Sequence, residues 1–104
     1  MNFIEALLMW AESLQAWLGN QNIVLTFGQS SNDRLTRSCW LNARRDDREA
    51  EILLWESGEA EFNFADGRDP NITQEHHEFE RISDLGVVLA RLLTVLGESR
   101  ASQA

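Results

Sequence analysis

Apolar positions near the start of the chain recur at helical spacing. Phe3, Leu7, Trp10, Leu14 and Trp17 alternate steps of four and three, with Glu5 and Glu12 on the other side. This predicts an amphipathic helix over residues 3–18. Asn2, followed three residues later by Glu5, has the form of a capping box, and Gly19 can close the helix in the left-handed conformation.

Beyond the polar break at residues 20–22 the period changes. Ile23-Val24-Leu25-Thr26-Phe27 is β-branched and aromatic and too short for a helix of its own, so it predicts a first strand. A polar, turn-rich stretch from Gly28 to Asp33 leads to a longer second strand. There Leu35, Cys39, Leu41 and Ala43 share one parity, and Thr36, Ser38, Trp40 and Asn42 the other. Arg45-Asp46-Asp47-Arg48 predicts a turn into a third strand, where Ala50, Ile52 and Leu54 alternate with Glu51, Leu53 and Trp55.

The following turn fixes a register. Gly58 suits the left-handed position of a three-residue loop, Glu56-Ser57-Gly58, which sets Leu54 opposite Ala60, Ile52 opposite Phe62 and Ala50 opposite Phe64. A loop one residue shorter would put Glu61 beside Leu54 and mix charge into the apolar face. The fourth strand thus covers residues 59–65. Residues 65–71, with Asp66-Gly67-Arg68-Asp69-Pro70, are a loop by every local signal. Residues 72–80 fit either a loop or a fifth, edge strand, whose dense charge would deter pairing with other molecules. Ser83 then stands as the cap of a second helix, with Ile82 and Val87 placed to staple its first turn. Leu85, Val88, Leu89, Leu92, Val95 and Leu96 form its apolar face, and Gly97 its end.

The order is helix, four or five strands with short turns, helix. It predicts an α+β fold: an antiparallel meander sheet with the N- and C-terminal helices packed on one face, in a single domain over residues 1–97 with a flexible tail, 98–104. The opposite sheet face is left open. On it the alternation places Trp40, Leu53 and Trp55 as an apolar centre and Glu51, Glu59 and Glu61 as an acidic border, alongside Thr36, Ser38, Asn42 and Asn63. These six centre and border residues are the candidate partner-binding set. The competing expectation is that the two tryptophans fold down onto the sheet as ordinary packing.

Charge sharpens the expectation. The formal net charge is −8, with 17 acidic residues against nine basic ones, all of them arginine. That balance repels phosphate backbones and anionic lipid and favours a basic protein surface. The N-terminal segment lacks a basic region and is interrupted by Glu5 and Glu12, so it predicts neither a signal peptide nor a membrane span. A lone cysteine, Cys39, fits a reducing compartment, and the expected location is the cytoplasm.

Candidate chemistry is sparse. Glu75-His76-His77-Glu78 has the residue types of a metal site, but neighbours on a strand point to opposite faces and cannot readily share one ion. Cys39 carries the parity of the core, where a lone thiol acts as a small hydrophobe rather than a nucleophile. No phosphate-binding loop, nucleophile elbow or metalloprotease helix motif occurs. The expectation is therefore a binding protein, not an enzyme, with neither metal nor cofactor.

With helices at both ends and Leu53-Leu54-Trp55-Glu56-Ser57-Gly58-Glu59-Ala60-Glu61 at its centre, this short acidic chain resembles small bacterial immunity proteins of polymorphic-toxin and contact-dependent inhibition systems, the TriTu type in particular. The resemblance implies stoichiometric capture of a cognate toxin domain in the cytoplasm, without chemistry of the immunity protein's own; the expected state of the chain is a monomer or weak dimer. An acidic chaperone for a secreted effector is the alternative, and dimerisation through a helix would favour it. A small enzyme is a third reading, which a deep pocket with convergent polar groups would support.

Overall fold

The computed structural model describes residues 2–30, 37–69 and 71–102, with side chains to residue 97. Its elements are α1 (Phe3–Gly19), β1 (Val24–Gln29), β2 (Ser38–Arg45), β3 (Arg48–Trp55), β4 (Glu59–Asp66), β5 (Ile72–Glu78) and α2 (Ile82–Ser102). The strands form one antiparallel sheet in the order β1-β2-β3-β4-β5. Segment 72–78 is thus an edge strand. Leu35 and Thr36, expected in the second strand, and Pro70 lie outside the described residues.

The β3–β4 hairpin has the register its apolar pattern requires, with Leu54 opposite Ala60, Ile52 opposite Phe62 and Ala50 opposite Phe64. Gly58 takes φ +99°, and a Cβ there would stand 2.5 Å from the Phe79 carbonyl oxygen, so the position excludes a side chain on two counts. Its own carbonyl accepts the Phe79 N–H at 2.8 Å, joining this hairpin to the end of β5. At the β2–β3 turn Asp46 takes φ 55°, which a short acidic side chain tolerates.

Both helices cover the same sheet face. Cys39, Leu41, Ala43, Ala50, Ile52, Leu54, Ala60 and Phe62 are buried there with Ile4, Leu7, Ala11 and Leu18 of α1 and Leu85, Val88, Leu89, Leu92 and Leu96 of α2. Arg48, on that face, is the one buried charge among the described residues. It donates to the Val95 carbonyl at 3.0 Å and to Asp66 at 3.2 Å, fastening α2 to the sheet.

Several local expectations are corrected. The buried stripe of α1 is Ile4, Leu7, Ala11 and Leu18, rotated by somewhat under one residue (~100°) from the expected face. Trp17 is consequently 54% exposed. Ala11 suits the buried position because a small side chain lets the helix approach the strands, whereas the larger rings fit along its flank. The capping box at Asn2 and Glu5 forms. The left-handed residue after α1, however, is Asn22 (φ 64°), not Gly19, which is the last residue of the helix itself.

At α2 the capping side chain is Asp84 rather than Ser83: its carboxylate accepts the Glu80 and Arg81 N–H groups, each at 3.0 Å. A carboxylate is the stronger acceptor, and reaching back it satisfies two donors that a serine at 83, already within the helix, does not. Val87 is 71% exposed, so the expected staple does not pack. The helix also continues through Gly97 to Ser102. No helix among the described residues is long and apolar enough to cross a membrane.

Candidate protein-docking face

Strand alternation turns the other sheet face away from both helices, and the register arranges it as a grid. One row across the sheet reads Gly28, Trp40, Leu53, Glu61, His76; the next reads Thr26, Asn42, Glu51, Asn63, Gln74. Ser38 lies opposite Trp55, and Glu59 opposite Glu78. All six residues singled out from the sequence therefore share this face. Trp40 (36% exposed), Glu59 and Glu61 are exposed, while Glu51, Leu53 and Trp55 are half-buried.

The apolar centre occupies one end of the face, where Trp40 and Leu53 are direct partners and Trp55 follows two residues along β3. At the other end lies a shallow depression of about 270 Å³ among Asn42, Glu49, Glu51, Asn63, Ala65, Ile72 and Gln74. Glu49 and Glu78 extend the acidic border beyond the expected set. The parity of Glu51 would have revealed Glu49, whereas Glu78 needed the pairing of β5, which no local signal fixed.

Some carboxylates elsewhere hold the fold together. Asp66 bonds Arg48 and Arg68, Glu75 is shared by Arg91 and His77, and Asp84 caps α2. Glu51, Glu59, Glu61 and Glu78 take part in no ion pair among the described residues, and Glu49 accepts only the Asn42 side-chain amide, at 3.0 Å. The open face thus carries carboxylates without an ion-pair partner among the described residues, with Arg44 across from Glu49 at its edge.

His76 belongs to the open face and His77 to the helix side, where its ring stacks on Phe79 at 5.9 Å between centroids. No group of three or more ligating side chains able to hold a metal occurs among the described residues. Cys39 is buried, and burial pushes its thiol up to about 11, leaving it protonated at neutral pH.

A family model described as "Immunity protein TriTu" matches residues 5–95, nearly the whole chain. The chain belongs to the TriTu immunity protein family. No curated protein and no solved structure matches it. Within this TriTu protein the matched span contains the whole sheet, and hence every candidate residue of the open face.

The engaged carboxylates predict an acid sensitivity for the TriTu domain. The Arg68 backbone N–H, then its guanidinium, lowers the Asp66 pKa; the Arg91 guanidinium, then His77, lowers that of Glu75; the Arg81 and Glu80 N–H groups lower that of Asp84. A folded-state pKa below the unfolded value adds stability that is complete above the unfolded value, about 4, and is lost as pH falls through the lowered value. Urea midpoints are therefore expected to hold steady from neutral pH to about 5 and to fall below about 4. Asp66→Asn combined with Glu75→Gln should flatten that fall, and an unchanged slope would show that these groups are not its source.

Proposed function

We propose that the protein neutralises a cognate toxin domain by binding it, stoichiometrically and without catalysis, through the open sheet face. The observation that carries this reading is a face on which Trp40, Leu53 and Trp55 are only partly covered beside carboxylates with no ion-pair partner among the described residues. Aromatic anchors supply most of the binding energy of interfaces, and a charged border steers the encounter, so the surface fits a partner with a basic patch. Family membership supplies the class of partner, a protein toxin. Capture would take place in the cytoplasm of the producing cell, before the toxin reaches its target.

The test is affinity capture from the native cells with the wild-type chain and with Trp40→Ala/Trp55→Ala in parallel, followed by titration against the activity of the retained toxin. Expected are a toxin retained by the wild type and lost from the double variant, and inhibition that saturates at one chain per toxin. Equal retention by both would move the interface elsewhere, and inhibition at far below one equivalent would indicate an enzyme.

A further inference from the structure

We infer that Gly28 is a positioning residue of the docking face, which fixes the indole of Trp40; the inference rests on the reading proposed above. Gly28 lies within β1 and is the direct cross-strand partner of Trp40. Its φ is not among the positive ones, so the backbone conformation does not require glycine. Glycine inside a strand weakens it, through backbone entropy and a missing side chain, and commonly marks the close approach of another group. Here that group is the indole. A Cβ on Gly28 would stand 3.1 Å from Cζ2 of Trp40 and 3.3 Å from both Cε2 and Nε1, closer than ordinary carbon contact.

The bare backbone of β1 is thus a seat against which Trp40 rests while staying partly open to solvent. An aromatic ring placed over a strand glycine restores some of the cover that the glycine forfeits. The seat also resolves the two expectations for Trp40: its ring is packed on the sheet and exposed at once. A ring held in one position loses less conformational freedom on binding than a ring free to rotate, so the seat raises the affinity that Trp40 contributes. A Cβ at 28 fits only if the indole or the strand gives by a few tenths of an ångström, and a larger side chain asks for more.

Gly28→Ala tests this in the free chain and in complex with the captured toxin. In the free chain, the indole N–H resonance of Trp40 is expected to move more than those of Trp10, Trp17 and Trp55. Stability should show coupling: Gly28→Ala is expected to be more favourable in the Trp40→Ala background, where the Cβ has room, than in the wild type. This comparison holds even if Gly28→Ala weakens the fold.

In complex, Gly28→Ala should lower toxin affinity about tenfold, roughly 1.4 kcal/mol, and by less than twofold once Trp40 is alanine. A merely structural role for Gly28 predicts equal losses in the two backgrounds. Equal losses, an unmoved Trp40 resonance or additive stabilities would overturn the inference. If instead Trp40→Ala leaves affinity intact while the resonance and stability coupling behave as described, the seat exists and the docking reading is what fails.

Discussion

Trp55→Ala is expected to weaken toxin binding by about 2 kcal/mol or more, roughly thirtyfold in Kd, while leaving the domain folded. The side chain is half-buried on the open face and lies beyond Leu53, outside the core that the helices seal. Truncation therefore removes an anchor without opening a hole between helix and sheet. Glu59→Gln and Glu61→Gln should behave differently, mainly slowing association, because exposed charges act during encounter. Raising ionic strength should erase the difference between these glutamate variants and the wild type, yet leave most of the Trp55 loss, since screening reaches exposed charge and not desolvated apolar contact. Stopped-flow association and calorimetry across a salt series separate the two. Unfolding by Trp55→Ala with affinity preserved in the folded fraction would make this residue part of the core and remove the centre of the proposed face.

Arg48→Ala is expected to lower folding stability by about 3 kcal/mol. Arg48 is 7% exposed, and its guanidinium links β3, Asp66 at the end of β4 and the carbonyl of Val95 on α2. Alanine removes two charge-assisted bonds and also the aliphatic stem, leaving a void under α2. Asp66 would still keep Arg68, so the loss should fall short of that from stranding a buried carboxylate. Arg48→Met, which restores the stem but not the bonds, should recover about half, again judged against the bond and packing magnitudes. Urea denaturation at neutral pH measures both. A loss below about 0.5 kcal/mol for the alanine variant, within the range of an ordinary surface change, would show that the helix is held by apolar contact alone.

Features governed by strand alternation and turn chemistry were legible in the sequence. A one-residue slip would have placed Glu61 on the apolar face, and Gly58 could serve its loop only at the left-handed position, so the β3–β4 register had one solution. From that register Glu51, Leu53, Trp55, Glu59 and Glu61 shared a face, and the parity of β2 added Trp40. The capping box of α1 was equally local, because Asn2 and Glu5 need only each other.

The rest depended on what each element packs against. Which arc of α1 turns inward was decided by the fit of Ile4, Ala11 and Leu18 on the sheet, and helical periodicity alone allowed the neighbouring arc with its larger rings. The existence of β5 was decided by the open edge of β4, since Ile72-Thr73-Gln74-Glu75-His76-His77-Glu78 has no apolar alternation of its own. The same holds for the seat of Trp40 and the engagement of each carboxylate. Gly28 carries no signal in a turn-rich stretch until β1 and β2 are paired, and Glu75 and Glu61 are alike in sequence. Only the third dimension brings Arg91 to Glu75 and leaves Glu61 facing solvent, because charge is compensated across space between elements whose spacing along the chain says nothing of their distance.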